Sequence, residues 1–571
     1  MVDLKAKPFY LKDEDIQWVE DTIASMSEEE KVGQLFVNMV QSREPADIKA
    51  TVEKYHVGAL RYMNVPAAEL YEQNRLFQEE SKIPLLIASN CEAGGNGGVG
   101  GGTPIANGAA IAAAGSEELA YRAALYGGRE GAAVGCNWNF APVVDILQNW
   151  RNTVVQLRAY NDKAEDVIRY ARGFHRGTRE AGLATCAKHF PGDGTEENDQ
   201  HLMMGVNDLS AEEWDATFGK VYQTLIDDGV MTIMAGHIAQ PAWQRKLAGK
   251  ELSDSEILPA TLCPELITGL LRGRLGFNGL VVTDASHMIG MFAAMPRSRQ
   301  VPEAIAAGCD MFLFFNDYDE DFGYMLEGYR SGVITEERMN DALSRILGLK
   351  AALGLHRKKA EGTLMPPKEG LSIVGCAEHL EASYQAADQY ITLVKDTQGM
   401  LPLDPKTHPR LKLVFIGGEG MVVAGKLLGG AGDQLKAALK ETLEEAGFTV
   451  DDGEGEGSVG KSKGKTEDLR RRYDAVIVAL DVVGFAQYNA MRMKWAKPAD
   501  QPWYVAELPT AFVSFNLTNH LIDLTMSRTY INAYMDHRQA VQAFVEKLTG
   551  KSPFRGRYNE NVWCGRWDTK L

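Results

Sequence analysis

The stretch Lys188-His189-Phe190-Pro191-Gly192-Asp193-Gly194 puts a cation and an imidazole at the end of an apolar run, and Asp199-Gln200-His201 follows a few residues later. A second apolar run, Gly279-Leu280-Val281-Val282-Thr283, ends in the carboxylate of Asp284. A carboxylate closing a buried strand must face a cleft or find a partner, because burying it bare is very costly. There it could attack an anomeric carbon and form an ester, although an aspartate between a strand and a helix also often just caps the helix. Glycosidic cleavage further needs a proton delivered to the leaving oxygen. A histidine, with an ordinary pKa of about 6.5, donates near neutral pH when a carboxylate orients it. Asp199 and His201 supply that pair, and Pro191, Gly192 and Gly194 give their loop a defined path.

Other polar residues collect where apolar runs end. Lys188 and His189 are adjacent, so strand alternation sends them to opposite faces, and they read as donors to sugar hydroxyls. Asn90, Asp145, Arg158 and His237 lie at or beyond strand ends as further candidates, each with an equally good structural reading. Asn90 and Glu92 precede the glycine-rich run 94–102, which either brings backbone close to a ligand or forms a turn. No cluster has metal-ligand spacing, and neither metal nor cofactor is expected. Residues 455–462 match the phosphate-loop pattern GxxxxGK[ST], with Lys461 as its lysine. Glu454 and Glu456 would repel phosphates, and Gly464 interrupts the turn where a helix should start. The match reads as a coincidence inside 451–465, a Gly/Ser/Lys/acidic tract expected to be a surface loop.

Eight apolar runs alternate with helical patterns: 34–40, 57–62, 85–90, 136–143, 184–190, 230–237, 279–284 and 309–315. Ser27 with Glu30 and Ser210 with Glu213 fit capping boxes that open two of the helices. Strands apolar on both faces, alternating with helices, predict a (β/α)8 TIM-type barrel. A doubly wound sheet fits the alternation nearly as well, but polar residues gathered at strand ends favour the barrel. A composition shift rich in Lys, Pro and Gly follows. The expected organisation is a barrel domain over 1–355, a linker over 356–380 and a smaller α/β sandwich domain over 381–571. The last has a mostly parallel sheet, with strands at 391–394, 411–416, 475–480, 511–515 and 530–534 and a helix at 434–445.

Composition narrows the function classes. A chain of 571 residues exceeds one core. A formal net charge of −17 argues against nucleic acid and anionic membranes as partners. The arginine triplet Arg470-Arg471-Arg472 reads as a solvated helix end. The first twelve residues lack the apolar core of a signal peptide, and no run approaches the roughly 20 apolar residues of a membrane span. Seven scattered cysteines without CxxC spacing read as reduced thiols of a cytoplasmic protein, with Cys136, Cys186 and Cys309 as small core residues.

These motifs together resemble glycoside hydrolase family 3. The run ending at Asp284, with Met288, resembles that family's nucleophile signature, and Lys188-His189-Phe190-Pro191-Gly192 followed by Asp199-x-His201 resembles its β-N-acetylglucosaminidase branch. Ile391-Thr392-Leu393-Val394-Lys395 and Leu401-Pro402-Leu403 resemble the opening of the family's second domain. The resemblance implies a retaining, exo-acting β-glycosidase. Asp284 would be its nucleophile, His201 its acid/base on a mobile loop, and Asp199 the orienting partner of His201. It implies sugar binding by Lys188, His189 and Arg158, and a β-linked amino-sugar or glucoside as substrate. A homodimer is one expected assembly. Three departures stand out: Asn90 where the family commonly has an acid, Asp193 where this branch often has histidine, and the glycine run in place of an arginine-bearing segment. A glycoside phosphorylase releasing sugar 1-phosphate, a β-glucosidase, and a non-catalytic sugar- or nucleotide-binding protein are the alternatives.

Overall fold

In a computed structural model the described residues are 2–418, 421–423, 426–428, 432–453, 465–482, 492–493 and 501–571. The phosphate-loop-like stretch 455–462 lies outside them, as does most of the 451–465 tract.

Each of the eight expected runs contributes a strand to one closed barrel. They are β1 (Phe36–Met39), β2 (Ala59–Arg61), β3 (Leu86–Ser89), β4 (Trp138–Asn139), β5 (Ala184–Phe190), β6 (Thr232–Ala235), β7 (Leu280–Ala285) and β8 (Met311–Leu313). Every neighbouring pair is parallel, and β8 closes onto β1 with Val37 opposite Leu313. The strands are buried on both faces, as their unbroken apolar runs require. Helices cover the outside. Ala164–Glu180, for example, buries Val167, Tyr170, Ala171 and Phe174 on one stripe while its charged residues face out. Both expected capping boxes form, Ser27 with Glu30 and Ser210 with Glu213. Because all eight strands run the same way, their carboxyl ends meet at one rim, the face on which barrel enzymes carry their chemistry.

The second sheet has six strands: β9 (Thr392–Asp396), β10 (Arg410–Gly417), β11 (Thr449–Asp451), β12 (Ala475–Asp481), β13 (Thr510–Ser514) and β14 (Thr529–Asn532). Their spatial order is β9-β14-β13-β12-β10-β11, parallel throughout except for the β9–β14 pair. The short edge strand β11 has no counterpart among the expected runs; it abuts the acidic tract, which masks its three-residue pattern.

Packing divides the chain into two compact units. One comprises Met1–Pro104, Ala120–Gln148 and Lys163–Cys376; the other comprises Ile105–Leu119, Asn149–Asp162 and Ala377–Leu571. Two excursions from the barrel sequence thus belong to the second unit. The helix Gly108–Ala114, made of Gly, Ala and one Ile, is small enough to lie close against the helix Ala377–Tyr390. Between the barrel and the second sheet, Leu355–Glu361 is a helix and Lys368–Ile373 a 3-10 turn. All seven cysteines are free thiols, and Cys136, Cys186 and Cys309 are buried as expected. Among the described residues no helix is long and apolar enough to cross a membrane.

Candidate active site

Strand β7 delivers Asp284 to the carboxyl rim. The helix that follows, Ile289–Phe292, takes Met288 as its N-cap, so Asp284 does not cap it; among the described residues its Oδ1 accepts only from the N–H of the next residue, Ala285, at 2.7 Å. The side chain keeps 15% of its surface exposed. Burial by itself would raise its pKa, but the imidazoles of His189, His237 and His201 outweigh that and pull it down to about 2. This is a carboxylate held ionised and still reachable, the state a nucleophile needs.

Strand β5 supplies the next two groups. His189 Nε2 stands 4.0 Å from Asp284 Oδ2. Its other nitrogen, Nδ1, lies 2.7 Å from Asp145 Oδ2. Asp145 Oδ1 accepts two backbone N–H groups, from His189 at 3.1 Å and from Asp193 at 2.8 Å. A carboxylate so used only accepts, so Nδ1 of His189 carries the hydrogen and Nε2 faces Asp284. Lys188 Nζ meets Glu92 Oε1 at 2.6 Å. Lys188 and His189 therefore both engage carboxylates that lie past strand ends. The β5–β6 register shifts across these two residues, between Ala187 and Phe190.

The loop after β5 carries the second Asp–His pair. His201 Nδ1 lies 2.7 Å from Asp199 Oδ1, which also accepts the His201 N–H at 2.8 Å. Asp199 is fully buried, while the His201 side chain is 23% exposed. Gly192, at φ +122°, starts the loop; a Cβ there would run into the Phe218 ring. The loop is docked: Ile289 N–H donates to His201 O at 3.0 Å and Gly290 N–H to Gln200 O at 3.1 Å.

Two residues expected to touch substrate stand behind those that face the rim. Asp145 is fully buried and holds His189. His237, also fully buried, accepts from Thr261 Oγ1 at Nδ1 (3.0 Å) and donates from Nε2 to Ala285 O (2.9 Å). Burial pushes its pKa down to about 4 against the upward pull of Asp284, so it stays neutral and works as a strut. Asn90 is half-buried at the end of β3, and among the described residues its Oδ1 finds no hydrogen-bond partner. The glycine run beyond it is a compact turn. Asn90 N–H donates to Gly97 O at 3.1 Å, a Cβ at Gly97 would strike the Asn90 carbonyl, and Thr103 is clamped by buried Glu130 through its N–H and hydroxyl, both at 2.7 Å. Arg158 is half-buried on the 149–162 segment that packs with the second unit, where its backbone carbonyl closes against Gly108.

Sequence reasoning passed over Gln200 and His287. Gln200 carries no signal beyond its place between Asp199 and His201. His287 follows Asp284 by three residues, and burial lowers its pKa against the pull of that carboxylate. Among the described residues no group of three or more His, Cys, Asp or Glu side chains is placed to hold a metal ion.

Comparison with known proteins agrees with this fold. The model of the glycosyl hydrolase family 3 N-terminal domain matches residues 27–349. A β-N-acetylglucosaminidase/β-glucosidase of Cellulomonas fimi is 40% identical over the whole of both chains. Among solved structures, the β-glucoside phosphorylase BglX, bound to 2FGlc, superposes with a TM-score of 0.90 at 38% identity, covering 97% of this chain and 98% of its own. A family 3 β-N-acetylglucosaminidase from Paenibacillus sp. str. FPU-7 gives a TM-score of 0.78 at 28% identity, with 93% and 98% covered. With its barrel rim, its strand-end carboxylate and these full-length likenesses, the chain is a glycoside hydrolase and belongs to glycosyl hydrolase family 3.

Proposed function

We propose that the chain is a retaining, exo-acting β-glycosidase, and specifically a β-N-acetylglucosaminidase. Asp284 attacks the anomeric carbon of a β-linked amino sugar while His201, protonated, gives its Nε2 proton to the departing oxygen. The C–O bond to the aglycone breaks as the ester to Asp284 forms. Neutral His201 then takes a proton from water, which attacks the ester and releases the sugar with its configuration retained. Asp199 holds His201 in the tautomer that leaves Nε2 free. Lys188, His189, Asn90 and Glu92 meet sugar hydroxyls, while Asp145 and His237 position them from behind.

The observation that carries this reading is the pairing of Asp284, held down to about 2, with a reachable imidazole clamped on Asp199 at 2.7 Å. The branch is supported by the names of two relatives matched over nearly their full length, a β-N-acetylglucosaminidase/β-glucosidase and a β-N-acetylglucosaminidase.

A second reading is favoured by the likeness to BglX, a phosphorylase. An acid/base that is neutral after giving up its proton puts no second carboxylate in the way of an anion, so phosphate could replace water and leave as sugar 1-phosphate. One experiment separates these readings: nitrophenyl β-N-acetylglucosaminide, β-glucoside and β-xyloside, each with and without inorganic phosphate. The proposal expects the N-acetylglucosaminide to be cleaved best and the product to be free sugar. A clear glucoside preference overturns the branch. Sugar 1-phosphate made at the expense of free sugar moves the reaction to phosphorolysis.

A further inference from the structure

Gln200 sits between the two members of the Asp199–His201 pair, yet its side chain points away from solvent, with 1% of its surface exposed. Its Oε1 accepts the backbone N–H of His237, just past the end of β6, at 2.8 Å. Its Nε2 reaches toward Asp193 Oδ2, on the loop after β5, at 3.5 Å. Its own carbonyl accepts from Gly290, past the end of β7. Three strand ends therefore converge on one residue.

The packing leaves little freedom for another arrangement. A Cβ at Gly290 would stand 2.7 Å from Gln200 O and 2.9 Å from Met203 O; one at Gly236 would stand 3.3 Å from Gln200 Oε1. His237, whose N–H Gln200 satisfies, in turn donates its ring N–H to the carbonyl of Ala285, the neighbour of Asp284. The proton-donating loop and the strand end that carries the carboxylate thus share a scaffold. Alanine at 200 leaves the His237 N–H buried without its acceptor and frees the loop at its midpoint.

We propose that Gln200 is a positioning residue that fixes the His201 loop against the ends of β6 and β7, so that the acid and the nucleophile are set at a constant separation. The inference rests on the reading of His201 as the acid. A loosened loop weakens proton delivery but leaves attack by Asp284 intact. The loss should therefore depend on how much the leaving group needs a proton.

The test compares kcat/KM, which reports the glycosyl-transfer step, for wild type, Gln200→Ala and His201→Ala. The substrates are a nitrophenyl glycoside and an alkyl glycoside of the same sugar. For Gln200→Ala the expected loss is about tenfold to a hundredfold on the alkyl glycoside, short of the loss in His201→Ala, and under about threefold on the nitrophenyl one. If His201→Ala shows that dependence and Gln200→Ala loses equally on both substrates, or on neither, the positioning role is overturned while the acid assignment stands. Equal loss on both substrates in His201→Ala overturns the acid assignment and the positioning role with it. Should Gln200→Ala fail to fold, Gln200→Glu takes its place. It keeps an acceptor for the His237 N–H and removes only the donor facing Asp193, so the expected loss is confined to the alkyl glycoside and smaller than about tenfold, and equal loss on both substrates overturns the positioning role.

Discussion

The barrel rim holds two aspartate–histidine pairs with the same bond and different surroundings. His189 on Asp145 and His201 on Asp199 both close at 2.7 Å through Nδ1, and both aspartates are fully buried. His189 belongs to a strand and is 5% exposed; His201 belongs to a loop and is 23% exposed. The buried pair points its free nitrogen at Asp284 from 4.0 Å, where it helps hold that carboxylate ionised. In the proposed mechanism the exposed pair trades protons with a leaving group and then with water. An Asp–His dyad is therefore no function by itself: access to solvent and the identity of the third partner decide whether it positions charge or carries protons.

Four changes should break or sharpen this contrast. The largest effect belongs to the group both pairs serve: Asp284→Ala should reduce turnover to background with the fold retained, checked by steady-state kinetics beside a thermal melt. Next, Asp145→Asn should lower kcat/KM by about 10²- to 10⁴-fold, because an amide no longer enforces the Nδ1–H tautomer of His189. That loss should be alike for good and poor leaving groups. Asp145→Ala should also lower Tm, since the N–H groups of His189 and Asp193 lose a buried acceptor at about 1–3 kcal/mol each. His201→Ala should instead cost about 10²- to 10⁴-fold on poor leaving groups, little on nitrophenyl glycosides, and little in Tm. Similar leaving-group behaviour in the Asp145 and His201 variants would erase the distinction between the pairs.

The smallest effect is on stability against pH. Asp284 sits at about 2 folded against about 3.9 unfolded, so its contribution is present above about pH 4 and is lost as pH falls toward 2. His237 is the opposite case: at about 4 folded against about 6.5 unfolded, it binds fewer protons in the native state, so stability declines as pH drops from about 6.5 to 4. Urea melts should show that decline begin well before Asp284 titrates.

Legibility of the sequence followed locality. Strand β5 covers the whole of its expected run, and the carboxylate that ends β7 is where the apolar pattern stops. β4 keeps only Trp138 and Asn139 of an eight-residue run. The remainder, equally apolar, keeps bonding to β5 irregularly, through Ala141, Pro142 and Val144, and leads to Asp145 beside His189. Hydrophobicity cannot distinguish a buried strand from a buried loop, and the partner of Asp145 lies 44 residues away. Gln200 was invisible for the same reason, its role being set by His237, 37 residues on. The helix Gly108–Ala114 reads as part of the barrel by position, whereas its small side chains suit it to the second unit.

The central claim is that Asp284 forms a covalent bond to the sugar. The most direct measurement is to incubate the protein with an activated 2-fluoro glycoside of its preferred sugar, then take an intact mass and map the labelled peptide. The account predicts a gain of one fluorosugar per chain, on the peptide that contains Asp284. Labelling of another residue, or no label while the same preparation turns over the unfluorinated glycoside, would contradict it.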